Sequence, residues 1–132
     1  SRRGTAGTPR TASVLVVDDE PGVREAFARD LADLGCRFVL TETAEDALAQ
    51  AISDEFDIVF TDLMLPGMNG LQLMRELAAR RPRMLVVLMT AFPSEELSSR
   101  ARAHGAFLVL AKPCGRRHID AAVATAVSRR DA

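Results

Sequence analysis

The feature that most constrains this chain is the run Ile58-Val59-Phe60-Thr61-Asp62, apolar until it stops on a carboxylate. Leu63-Met64-Leu65-Pro66-Gly67-Met68-Asn69-Gly70 follows at once. Apolarity without alternation suits a strand buried on both faces, as in a parallel sheet covered by helices. A buried strand that ends on a lone Asp and then turns sets a charge at the lip of the sheet. In open parallel sheets that lip, at the carboxyl ends of the strands, is where ligands bind.

That strand is read as Phe56 to Thr61, ending at Asp62. Three further runs have this character: Val14 to Val17 before Asp18-Asp19-Glu20, Met84 to Met89 before Thr90, and Phe107 to Leu110 before Lys112-Pro113. Cys36 to Leu40 is a shorter strand. Between the runs, apolar residues recur at helical spacing. Val23, Phe27, Leu31 and Leu34 mark a first helix; Ala44, Ala47, Leu48, Ala51 and Ile52 a second. Leu71, Met74, Leu77 and Ala78 mark a third; Ile119, Ala122, Val123, Ala126 and Val127 the last. Pro21 suits a first helical turn, and Gly35 and Gly105 suit helix ends. Thr43 with Asp46 three residues on is a capping signature, whereas Asn69-Gly70 reads as a turn. The stretch 93–104 has Leu97 as its only large aliphatic. It is expected to be the most exposed and mobile helix. Five repeats of strand then helix give an α/β fold, a three-layer doubly wound domain on a five-stranded parallel sheet.

The chain has 132 residues, 48% of them hydrophobic, which suits one domain with a real core. Residues 1–12 carry no apolar period and read as a flexible tail or linker; residues 13–130 form the domain. A net charge of -1 gives no basis for nucleic-acid binding. Apolar runs of about six residues fall far short of the roughly 20 that cross a bilayer. Cys36 and Cys114 are expected as free thiols in a cytoplasmic protein. One bias is sharper: of 17 basic residues only Lys112 is a lysine. Arg is a planar fork and Lys a compact point charge, so the exception points to a tight anionic site.

In a parallel sheet the run ends share one edge, so Asp18-Asp19, Asp62, Thr90 and Lys112 meet there. Carboxylates so placed repel by about 4 kcal/mol per pair, at roughly 4 Å and an effective dielectric of about 20. One lysine cannot offset that. Either a carboxylate takes up a proton or a divalent cation sits among them, and an oxygen-rich site that awaits a phosphate suits Mg²⁺ better than Ca²⁺. Lys112 and the Thr90 hydroxyl can then hold phosphoryl oxygens.

With these motifs in order, one per strand end, the chain resembles the receiver domains of bacterial two-component response regulators. The matching motifs are Val-Val-Asp18-Asp19-Glu20, Thr-Asp62-Leu-Met-Leu-Pro66-Gly-Met-Asn69-Gly70, Met-Thr90-Ala91 and Ala-Lys112-Pro113, spread over residues 13–128. The resemblance implies a flavodoxin-like strand order 2-1-3-4-5 and a cis Lys112-Pro113 peptide. It implies Asp62 as the phosphoacceptor, and Mg²⁺ on Asp19, Asp62 and the Met64 carbonyl, with Asp18 on a metal water. It implies a sensor histidine kinase or phosphotransfer protein as donor. An output domain or partner protein would be reached through the fourth helix, fifth strand and fifth helix, with homodimerisation left open. Such a domain is not a turnover enzyme. Two positions depart from the pattern: Val109 stands where the family often has an aromatic switch residue, and Cys114 where it often has a ring. Phe107 shares the strand and parity of Val109.

Plainer readings stand beside these. Asp18 and Asp19 also suit a helix N-cap, and Asp62 a turn before Pro-Gly. Cys114, near a helix start, reads either as a thiol of lowered pKa or as a small buried hydrophobe. His104 and His118 read as surface residues, and Arg116-Arg117 and Arg129-Arg130 as solvated helix faces. A docking module that works without phosphorylation is the alternative function. An aspartate-nucleophile phosphatase is disfavoured, because Met64 stands where such an enzyme needs an acid.

Overall fold

Both-face burial is what the three central runs achieve, while the two edge runs are half-buried. A computed structural model describes residues 11–132. Five strands, β1 (Ser13–Val17), β2 (Arg37–Thr41), β3 (Ile58–Asp62), β4 (Leu85–Thr90) and β5 (Leu108–Ala111), pair in parallel in the order β2-β1-β3-β4-β5. The helices between them are α1 (Pro21–Asp33), α2 (Ala44–Ser53), α3 (Gly70–Arg80), α4 (Glu95–Ala103) and α5 (Arg116–Arg130).

Alternate residues of the central strands serve two cores. Leu15, Val17, Val59, Val86 and Leu88 pack with α2, α3 and Ala101 of α4. Val14, Val16, Ile58, Phe60, Val87 and Met89 pack with Phe27 and Leu31 of α1 and with one face of α5. Every residue of β3 and β4 is buried. Phe60 alone, fully buried against the Phe27 ring at 5.2 Å, contributes about 1.5–3 kcal/mol by leaving water. Asp62 is thus fixed by the strand that carries it.

The fold class and strand order agree with the reading above, and the Lys112–Pro113 peptide is cis. Boundaries differ in detail. β2, β4 and β5 each begin one residue later than read from the sequence, and β3 begins two residues later than Phe56 and takes in Asp62. The expected tail, residues 1–12, lies outside the described residues except for Thr11 and Ala12. Ala12 is buried, and its carbonyl accepts the Arg37 N–H at 2.8 Å. Asn69 is more than a turn former: it caps α3, accepting from Gln72 N at 2.9 Å, while the Gln72 side chain accepts from Asn69 N at 3.0 Å. Arg130 is not a fully solvated side chain but a mostly covered one. Its guanidinium bonds Asp57 Oδ2 at 2.9 Å and the Thr11 carbonyl at 3.2 Å, tying the end of α5 to the starts of β1 and β3. Arg129 lies over the Phe107 ring. Only Ala101 of α4 is fully buried, as its thin apolar face implied.

Gly70 connects packing to the sheet edge. Its N–H donates to the Leu63 carbonyl at 2.9 Å. A Cβ at this position would lie 2.4 Å from the Asp62 carbonyl oxygen and 2.9 Å from Leu63 Cα. Both are backbone atoms, so relief requires moving α3 or the end of β3. Gly70→Ala is expected to cost about 1–3 kcal/mol, read as a lower urea midpoint by circular dichroism, the suitable probe in a chain with no Trp or Tyr.

Candidate functional site

Strand register decides which polar groups meet. Val17 pairs with Thr61, Asp62 with Met89, and Thr90 with Ala111. The pairing runs one residue past the strands: Leu63 N donates to the Met89 carbonyl and Lys112 N to the Thr90 carbonyl. The connections that leave β1 and β3 run in opposite directions, to β2 and to β4, which opens a crevice at the carboxyl ends of β1 and β3. Asp18 and Asp62 stand on its two sides.

Lys112 joins them. Its ammonium donates to Asp18 Oδ2 at 2.8 Å, Glu20 Oε1 at 2.9 Å and Asp62 Oδ2 at 3.2 Å. Asp18 is fully buried, and its other oxygen accepts the Glu20 N–H at 2.9 Å. The Asp18 carbonyl accepts from Arg24 at 2.7 Å, which holds the turn into α1. Asp62 Oδ1 accepts weakly from Met64 N at 3.3 Å. The Thr90 side chain is buried and accepts the Phe92 N–H at 3.1 Å. Met64 and Phe92, flanking this edge, are among the most exposed large apolar residues described.

Of the residues read from the sequence, Asp18, Asp62 and Lys112 are in contact, and Thr90 is their register neighbour. Asp19 is exposed. Among the described residues, the carboxylates whose oxygens lie within 4.8 Å of one another are Asp18, Glu20 and Asp62. Glu20 was not singled out, although it completes the acidic triplet, and Arg24 gave no signal beyond its place one turn into α1. Glu20 rather than Asp18 or Asp19 is the α1 N-cap residue, without a side-chain cap bond.

Burial pushes the Asp18 carboxyl above its ordinary pKa, against the pull of Lys112. Burial also disfavours the Lys112 charge, but hydrogen bonds to Asp18, Glu20 and Asp62 and the Asp18 charge outweigh it and hold its pKa above the ordinary value. Three carboxylates against one ammonium leave excess negative charge. Together with hard oxygen donors in a crevice, that fits a small divalent cation. Among the described residues no hydrogen bond reaches the Met64 carbonyl.

Comparison with known proteins decides the family. The response regulator receiver domain family matches residues 14–124. This chain belongs to it. The response regulator protein FleR of Pseudomonas aeruginosa is 37% identical over 102 residues, 77% of this chain and 22% of that protein. The DNA-binding transcriptional regulator NtrC of Salmonella typhimurium is 36% identical over 111 residues, 84% of this chain and 23% of that one. The chain therefore spans under a quarter of the length of either. The signal receiver domain of the NarL regulator of Mycobacterium tuberculosis superposes with a TM-score of 0.82 at 27% identity, covering 91% of this chain and 98% of that one. A CheY-like receiver domain of Methanospirillum hungatei gives a TM-score of 0.85 at 24% identity, covering 92% and 98%, which is likeness of fold.

Within this receiver domain, the Val109 departure is real. Val109 packs on the core shared by α2, α3 and α4, whereas Phe107 packs on the opposite core under Arg129. Phe107 precedes β5, so strand parity does not apply to it, and it cannot stand in for a ring at 109. His104 and His118 are exposed, as read. No helix among the described residues is long and apolar enough to cross a membrane.

Cys114 follows the plainer reading. Burial pushes its thiol up to about 11, opposed by Lys112. At pH 8 about one thiol in a thousand is ionised, so Cys114 is expected to react with iodoacetamide far more slowly in the folded domain than in urea. Lys112 carries a second prediction. A raised folded pKa means its contribution to stability is fully present below the unfolded value of 10.5 and is lost as pH rises through the folded one. The stability difference between wild type and Lys112→Met should therefore shrink above about pH 10.5, read in urea melts across alkaline pH. The chain has no other lysine and no tyrosine, and replacing Cys36 and Cys114 by Ser in both proteins removes the thiols that titrate on the same limb.

Proposed function

We propose that this receiver domain takes a phosphoryl group onto Asp62 from a sensor histidine kinase or phosphotransfer protein, and that the phosphoryl group biases a partner-binding face. One observation carries the reading: the Asp62 carboxylate ends a fully buried strand at the crevice, with the only lysine of the chain 3.2 Å from its oxygen.

The step needs little from the protein beyond position and charge. An Asp62 carboxylate oxygen attacks phosphorus, the phosphorus–nitrogen bond of the donor phosphohistidine breaks, and its electron pair stays on the imidazole. An acyl phosphate on Asp62 results. Lys112 supplies a point charge for one phosphoryl oxygen and the Thr90 hydroxyl a donor for another. Asp18, Asp19, Asp62 and the Met64 carbonyl would hold Mg²⁺, which when bound offsets charge between the acceptor and the incoming dianion.

Thr90 supports the switch. Its hydroxyl oxygen now accepts the Phe92 N–H. Turning toward a phosphoryl oxygen would break that bond and draw the loop before α4, the helix least tied to the core. A face made of α4, β5 and α5 would change with it, and an output domain or separate partner would read the change.

Intact mass after incubation with Mg²⁺ and acetyl phosphate tests the acceptor. One added phosphoryl group is expected, absent in Asp62→Asn and in EDTA. No modification, with acetyl phosphate or with histidine kinases, would leave a docking module that works without phosphorylation. Thr90→Ala should still accept the group while its α4 amide resonances move less on phosphorylation than in wild type.

A further inference from the structure

An ammonium has three protons, and all three on Lys112 are used, by Asp18, Glu20 and Asp62. A phosphoryl group on Asp62 would bring new anionic oxygens to this ammonium. One existing bond must open to receive one of them.

The three partners are not equal. Asp18 is fully buried, and its second oxygen is committed to the Glu20 N–H. Breaking its pair with Lys112 would strand a buried carboxylate, the costly way to separate charges. Asp62 is the acceptor itself and stays next to Lys112 whatever it carries. The Glu20 side chain is 63% exposed, and among the described residues Lys112 is its only side-chain partner. The Glu20 backbone is anchored: its N–H is on Asp18, and its carbonyl accepts from Val23 N and Arg24 N, both at 3.2 Å. Only the side chain is free to swing, and it swings into water. Exposed ion pairs are weak, so this is the bond that opens at least cost.

We propose that Glu20 is a positioning residue: a latch that holds Lys112 in the unphosphorylated domain and releases it to the phosphoryl oxygen. The proposal rests on the reading of Asp62 as the phosphoacceptor. The competing role for Glu20 is as one more negative charge for the divalent cation. Two variants separate them. Glu20→Gln keeps the reach and loses the charge; Glu20→Asp keeps the charge and loses the reach. A latch is weakened by both. A charge is lost only in the first.

The single lysine makes the latch directly visible. Without Mg²⁺, an amine-acylating reagent modifies Lys112 and the amino terminus, which peptide masses tell apart. Acylation of Lys112 is expected to quicken about two- to fivefold in both variants, the range of a lost exposed ion pair. Phosphorylation by acetyl phosphate, measured at saturating Mg²⁺ for each variant, should quicken in both. Unchanged acylation in both variants overturns the latch, whether or not the domain is phosphorylated. Slower phosphorylation in Glu20→Gln with a wild-type rate in Glu20→Asp also overturns it and leaves Glu20 as charge alone. A wild-type domain that takes no phosphoryl group overturns the acceptor reading instead, and the acylation rates then decide the latch by themselves.

Discussion

The rest of this domain depends on one ammonium held among three carboxylates at the edge of a buried sheet. Charges of one sign do not collect in such a place without cause. Here the cause is topological. Parallel pairing brings the ends of β1, β3, β4 and β5 to one edge, and the reversal of chain direction beside β1 opens a crevice there. Two fully apolar cores then hold the strands too firmly for the acids to move apart. The core serves the site by refusing to relax the repulsion, which leaves the site short of positive charge.

That shortage gives the chemistry its direction. A balanced site would attract a cation weakly, and a site without Lys112 would have no charged side chain to offer a phosphoryl oxygen. Asp18 and Lys112 shift upward together for different reasons, the one because it is buried and the other because it is surrounded. The link to the surface is equally local. Thr90 is rigid in β4, but its hydroxyl is bonded to the loop that leads into α4. α4 is also the helix with least burial, so a small rearrangement at the edge reaches an element that can respond.

Much of this was legible in the sequence. Continuous apolar runs revealed parallel strands because burial on both faces erases alternation. Asp62, Thr90 and Lys112 stood out because a polar residue ending such a run has one place to be. Other features were not legible, for reasons particular to each. Which acid of Asp18-Asp19-Glu20 faces Lys112 depends on the turn after β1, and the Asp18 bond to the Glu20 N–H folds that turn so that residue 20 comes back while residue 19 points out. Phe107 obeyed parity on paper, but β5 starts after it and its ring faces the other core. Asn69-Gly70 has the residues of a turn. It became a capping box because Gln72 lies three positions on, and Gly70 is required by a contact with the Asp62 backbone that no local pattern records. Arg130 lies on a helix end whose distance from Asp57 is fixed only when α5 is docked.

The central claim is that converging strand ends build a site with more negative charge than Lys112 can balance. The most direct test is the urea midpoint of the wild-type domain against Mg²⁺ concentration, with NaCl matching the ionic strength. The account predicts a rise that grows with the logarithm of Mg²⁺ concentration above the dissociation constant, equivalent to about 2.7 kcal/mol at a hundredfold excess, and strongly reduced in Asp62→Asn. A midpoint that follows ionic strength alone, the same in MgCl₂ and NaCl, would contradict it.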